Sequence, residues 1–251
     1  MSTTLPAKPY RDARLLATVT VALLCLAFAC DIANVVMNLH IASVTDAMIH
    51  RPSTVTSAEI RGVDRLRHDV LPWLTPAQLA AVAVPFVALF RRSRLNAESF
   101  APGAMKVAEG WAVGGWVVPV AALWMPLRVA HDIRRGSALP DSRNLVTAVL
   151  VNSWWALWLG NSLGVAVLPT ILDGVLLDRA DYDTDVAAVS AHAYAVADVV
   201  SGVFGLLAAI AAVLVVHAVT VQQRARAAAG GLVSPQVAHV FPAPGQDIAG
   251  A

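Results

Sequence analysis

Five apolar runs, each at least 17 residues long, constrain this chain more than any other feature. They are Leu15–Val44, Leu74–Phe90, Trp111–Leu127, Leu145–Leu172 and Val186–Val221. A helix rises about 1.5 Å per residue, so about 20 apolar residues cross a hydrocarbon layer of about 30 Å. Inside lipid every backbone polar group must be satisfied within the protein, which runs of this length achieve as helices. Composition agrees. Hydrophobic residues make up 57% of the chain and charged residues only 14%, against about 25% charged in a soluble domain. Lipid must cover surface that charge would otherwise solvate. The sequence therefore predicts an all-α membrane protein.

The segments between the runs carry further signals. Residues 1–14 are polar and hold Lys8, Arg11 and Arg14. Ala27-Phe28-Ala29 ahead of Cys30 has the look of a signal-peptide end, but the apolar run continues past it, so it reads as an uncleaved first span. Cys25 and Cys30 point in different directions on a helix and form no disulfide or metal pattern. In the loop 45–73, Thr56-Ser57-Ala58-Glu59 is a capping box. Ile60, Val63, Leu66, Val70 and Leu71 then recur at helical spacing, with Glu59, Arg61, Asp64 and Arg67 on much of the other face. This predicts an external amphipathic helix lying on the bilayer or on the bundle. Residues 173–185 form a polar loop with five aspartates. From Ala227 onward Ala, Gly and Pro dominate without apolar period, which predicts disorder. The expected organisation is a cytoplasmic segment 1–14, a helical bundle 15–226 and a disordered cytoplasmic tail 227–251.

Charge decides how many runs cross. Lys and Arg favour the cytoplasmic side. If all five runs cross from a cytoplasmic N-terminus, 8 of the 18 basic residues fall inside and 10 outside. If the third run enters and leaves on one side, 13 fall inside and 5 outside. The second arrangement obeys the rule. It gives four transmembrane helices plus one Trp/Pro-rich re-entrant or kinked segment, with both termini cytoplasmic. Residues 111–127 suit that role. Pro119 removes a backbone donor near the middle, and Gly114-Gly115 loosens the turn before it. Trp111, Trp116 and Trp124 suit headgroup level, where the indole donor stays wet.

Three stretches resemble the domain-of-unknown-function 4328 family, small membrane proteins found mainly in actinobacteria. They are Phe90-Arg91-Arg92-Ser93-Arg94-Leu95-Asn96-Ala97-Glu98, then Gly110-Trp111-Ala112-Val113-Gly114-Gly115-Trp116-Val117-Val118-Pro119 with Leu123-Trp124-Met125-Pro126 and Asp132-Ile133, and Trp154-Trp155-Ala156-Leu157-Trp158-Leu159. The resemblance spans roughly residues 15–226 and marks Arg92, Arg94, Asn96, Trp111, Gly115, Trp116, Pro119, Trp124, Pro126, Trp154, Trp155 and Trp158 as motif and interface residues. Two positions depart from the pattern. Ala122 stands where the family usually has Asn, and Arg134 where Trp usually follows Asp-Ile. The resemblance supports the architecture and implies no activity.

Few side chains suggest chemistry. Gly160-Asn161-Ser162-Leu163-Gly164 matches a nucleophile-elbow pattern, but that pattern needs a strand-to-helix turn and here lies inside an apolar helix. It reads as a small-residue packing face, matched by Ser201 and Gly205. The histidines show no metal-ligand spacing, so neither metal nor cofactor is expected, and the chain does not read as an enzyme. Ionisable groups in a span should face the bundle. Asp31, Asn34, Asn161 and Asp198 could form one polar cluster, the alternative being two independent aspartates. The expected function is membrane-embedded interaction or scaffolding. Arg91, Arg92, Arg94, Arg128, Arg134 and Arg135 would offer anionic lipid or an acidic protein partner a cytoplasmic surface. The alternative is a small oligomeric transporter or channel using Asp31, Asn34 and Asp198. A net charge of +1 gives no pull towards nucleic acid.

Overall fold

The computed structural model describes residues 9–139, 145–179 and 186–237. Among the described residues seven α-helices follow one another: α1 Arg14–His50, α2 Ser57–Arg65, α3 Leu71–Phe100, α4 Trp111–Val117, α5 Met125–Ser137, α6 Leu145–Arg179 and α7 Val186–Val237. No strand occurs among the described residues. Four helical stretches are long and apolar enough to cross a membrane: Arg14–His50, Ser57–Phe100, Leu145–Leu172 and Ala188–Gly230. Their outer faces carry large apolar side chains, among them Val84, Leu79, Val146 and Val149, each more than 60% exposed. A soluble surface rarely tolerates so much contiguous apolar area, whereas lipid does.

The second span is longer than its apolar run because the capped helix joins it. Thr56 Oγ1 accepts from the Glu59 backbone N–H, and the Thr56 backbone N–H donates to the Glu59 carboxylate at 2.7 Å. A π-helical turn, Leu66–Val70, carries the chain into α3 without a break. Val63 on α2 packs with Ile41, Val44 and Ala195, so the amphipathic helix lies on the bundle.

The packing of α1, α6 and α7 follows from small residues. A Cβ on Gly202 would stand 2.6 Å from Val35 Cγ2, so α1 and α7 touch closely there. A Cβ on Gly164 would meet Ser201 Oγ at 2.5 Å, and one on Gly160 would meet the Phe204 ring at 3.0 Å. Gly205 faces Asn161. The small-residue face read from the sequence is the α6–α7 contact.

Two helices run further than the sequence suggests. α6 continues through the start of the aspartate-rich segment to Arg179, and residues 180–185 lie outside the described residues. α7 continues to Val237, so the segment expected to be disordered from 227 begins as helix; residues 238–251 lie outside the described residues. Extending an existing helix needs no new nucleus, and the alanines at 225 and 227–229 favour it.

The third apolar run forms no spanning helix. α4 ends at Val117, a 3₁₀ turn covers Ala121–Leu123, and α5 follows. The break falls at Pro119, as its missing donor dictates. The ends of this hairpin meet. Asp132 Oδ2 accepts from the backbone N–H groups of Lys106 and Val107, both at 2.9 Å. Gly136 lies against Ala97 near the end of α3. Trp116, on the inward arm, reaches Phe86 and Phe90, both at 5.6 Å between ring centroids. Phe90 lies about 15 Å up α3 from Phe100. The chain therefore enters, reaches at least that depth and returns to the same end.

Candidate functional site

The α3 motif residues Arg92, Arg94 and Asn96 lie at the end of the bundle where α1 begins, α3 finishes and α5 emerges. We call this the basic end. Ser93, Arg94, Asn96 and Ala97 occupy neighbouring positions on the last turns of α3 and are all buried. Asn96 Nδ2 donates to the Arg11 carbonyl at 3.0 Å, and Asn96 Oδ1 accepts from the Arg11 backbone N–H at 3.2 Å. This reciprocal pair straps the N-terminal segment across the bundle. Asn96 Nδ2 also donates to Gln223 Oε1 at 3.2 Å, and Gln223 Nε2 donates to the Ser93 carbonyl at 2.8 Å and Ser137 Oγ at 3.0 Å. Four elements meet in this network: the N-terminal segment, α3, α5 and α7. Arg226 donates to the Ala138 and Phe100 carbonyls, and its guanidinium lies over the Phe100 ring, on which Tyr10 also stacks. Burial, then the Asp12 charge, raises the Tyr10 phenol above its ordinary value.

Arg94 corrects the sequence reading. It is not on display. Only 2% exposed, it donates to Glu98 at 3.0 Å and to the Val107 carbonyl at 2.7 Å, which ties the hairpin's entrance to α3. Arg91 is exposed but paired with Glu109 at 3.1 Å. Asp132, 1% exposed, takes Arg135 as an ion partner in addition to its two backbone donors.

Trp116, Trp154, Trp155 and Trp158 form one cluster deeper in the bundle. Trp116 packs on Phe86, Phe90, Trp154, Trp155 and Trp158, and Trp155 stacks on Trp158 at 4.7 Å. The expectation of a wet indole at headgroup level fails for Trp116, whose Nε1 is buried without a hydrogen-bond partner. Trp116 packs edge-to-face on Phe86 and Phe90, and the cluster's apolar area offsets the lost bond. Trp124 is exposed and Trp111 half-buried. Gly115 is small because Met125 and Pro126 of the returning arm pass against it.

The candidate polar residues of the spans do not converge. Asp31 Oδ1 accepts from Gln78 Nε2 of α3 at 2.7 Å. Asn34 and Asn38 bond to one another at 2.9 Å, and Asn161 sits against Gly205. Asp198 is exposed, with Arg67 as its charged neighbour. Among the described residues no hydrogen bond joins Asp31 to Asn34, Asn161 or Asp198. His192 faces the Ala42 carbonyl at 3.0 Å and Thr45. It lies about 14 Å along α7 from Ser201, which packs beside Gly164, and so outside hydrogen-bond reach of Ser162. Sequence reasoning passed over Gln78, Gln223, Ser93, Ser137 and Arg226, and gave Asp132 no role. Polar residues recurring inside or beside apolar runs were the available signal.

The chain belongs to the domain of unknown function 4328 family, whose model matches residues 51–221. No curated protein and no solved structure matches it. The matched region holds α2 to α6 and most of α7, including the hairpin, the aromatic cluster and the α3 part of the polar network.

Proposed function

We propose that this member of the family is a multi-pass protein of the cell membrane in an actinobacterium, with both termini cytoplasmic. It works by holding a partner at its basic end, not by covalent chemistry. The partner is acidic, an anionic lipid or an acidic protein. The observation that carries this reading is the anchoring of α5. Asp132 ties it to the loop that precedes α4, and Ser137 ties it to Gln223. Its outer face, with Arg128, Arg134 and Arg135, is thereby held in a fixed orientation. The excess of basic residues at that end supports the orientation in the membrane. Arg94 has no part in the display, since it is buried.

The test is photo-cross-linking in native membranes from a probe at exposed Trp124, one turn before Arg128. An adduct with an acidic protein should form and disappear on charge reversal of Arg92 and Arg128 together, while Asp31→Asn leaves it intact. An adduct indifferent to those charges would end the proposal for protein partners. The second reading is an oligomeric transporter, favoured by the Asp31–Gln78 pair at lipid depth. It requires a solute flux that Asp31→Asn abolishes.

A further inference from the structure

The geometry points to a binding site for an anionic phospholipid on the outer face of the hairpin's returning arm, with Arg128 and Arg134 as the phosphate ligands. The inference rests on the interaction reading above and gives it one ligand.

Helical spacing divides α5 into two faces. Val129, Ala130, Asp132, Ile133, Gly136 and Ser137 fill one and are buried. Arg128, His131, Arg134 and Arg135 fill an arc of about 120° on the other, at 100° per residue. Two of these four are already engaged. His131 bonds to Asn152 of α6 at 2.9 Å, and Arg135 is paired with Asp132. Arg128 and Arg134 have no side-chain hydrogen bond or ion pair among the described residues. Arg134 is the more telling. Its side chain is partly buried, and its Nε is fully enclosed without an acceptor. Burial, then the neighbouring Arg135 charge, lowers its pKa. A guanidinium desolvated beside another cation, with no counter-charge among the described residues, wants an anion.

The exposed residues that lead into the helix select the anion. One turn before Arg128 stands Trp124, 42% exposed, preceded by Leu123 at 45% and Val120 at 65%. From Trp124 to Arg134, about 15 Å along the helix, the exposed surface passes from an indole to basic side chains, with the apolar Leu123 and Val120 ahead of it. A phospholipid has that order, with acyl chain, interface and phosphate. Free phosphate has no use for the apolar half. Arg binds phosphate through a fork of donors, which a lysine cannot reproduce.

The full chain, purified in a neutral detergent, should be titrated with phosphatidylglycerol, phosphatidylcholine and inorganic phosphate while its thermal midpoint is followed. Phosphatidylglycerol should raise the midpoint and the other two should not. The Arg128→Gln, Arg134→Gln double variant should bind phosphatidylglycerol about thirtyfold more weakly, and Arg128→Gln alone about fivefold. Arg61→Gln with Arg65→Gln, at the far end of the bundle, should leave binding unchanged. The midpoint without lipid reports whether the double variant folds. If it does not, exposed Arg128→Gln and the charge-preserving Arg134→Lys supply the answer, each expected to weaken binding. Equal stabilisation by phosphatidylcholine would overturn the site, as would equal stabilisation by inorganic phosphate. Undiminished affinity in the variants, or equal loss in the far-end control, would do the same. Any of those results would leave a cross-linked protein partner standing, so the two readings fail separately.

Discussion

Replacing Asp132 with alanine should release the hairpin from the bundle and lower the thermal midpoint by roughly 10 °C. The Asp132 carboxylate is buried and holds two backbone N–H groups of the loop that precedes α4. Hydrogen bonds to a charged group contribute about 1.5–3 kcal/mol each, and the orphaned donors gain no replacement in a closed site. The expected loss is about 3–5 kcal/mol. The Arg135 ion pair adds little, because the Arg135 side chain is about half exposed and screened. Asp132→Asn separates the parts. An amide oxygen can still accept from Lys106 and Val107, so it should cost about 1–2 kcal/mol. Thermal unfolding in one detergent reads all three proteins. An alanine variant within about 0.5 kcal/mol of the parent would show that the hairpin is held by something else.

Gly136→Val should be nearly as damaging. Even a Cβ at this position would collide with Met105 Cε and lie 2.9 Å from the Ala97 carbonyl oxygen and 3.0 Å from Ala97 Cβ. Met105 is a flexible end that can move, whereas the Ala97 oxygen belongs to the backbone of α3. Overpacking of this kind costs about 1–3 kcal/mol, and valine's two methyls put it at the upper end or beyond. Gly136→Ala should lose less, since helix propensity returns about 1 kcal/mol. Adding Met105→Ala should rescue neither variant fully, because the backbone contact stays. Full rescue in an unfolding scan would mean that only the methionine was in the way.

Much of this architecture was legible because it rests on local rules. Apolar run length gave the spans, and Thr56 and Glu59 announced their helix start. Pro119 and the placement of arginines gave the turn back of the third run. Gly160 and Gly164 gave the α6–α7 contact. The site was less legible because its partners are distant in sequence. Nothing near Asn96 indicates Gln223, and nothing near Asp31 indicates Gln78. Arg94 sits in a run of arginines that reads as solvated surface, and only the fold shows that its neighbour is the Val107 carbonyl. Asp132 looks like one more charge in a basic segment until the loop before α4 closes over it. The helical extension of α7 past 226 was missed for another reason. Composition without apolar period argues against a packed element, but not against the continuation of a helix already formed.

The re-entrant hairpin is tested most directly by comparing its two flanks. Single cysteines should be placed at Ala104 and Leu139, both exposed, with Cys25 and Cys30 replaced beforehand. An impermeant thiol reagent is then applied to intact cells and to permeabilised ones. Both positions should be silent in intact cells and react after permeabilisation. Reaction at one flank but not the other in intact cells would mean that residues 111–127 cross the membrane, and the four-span arrangement would be wrong.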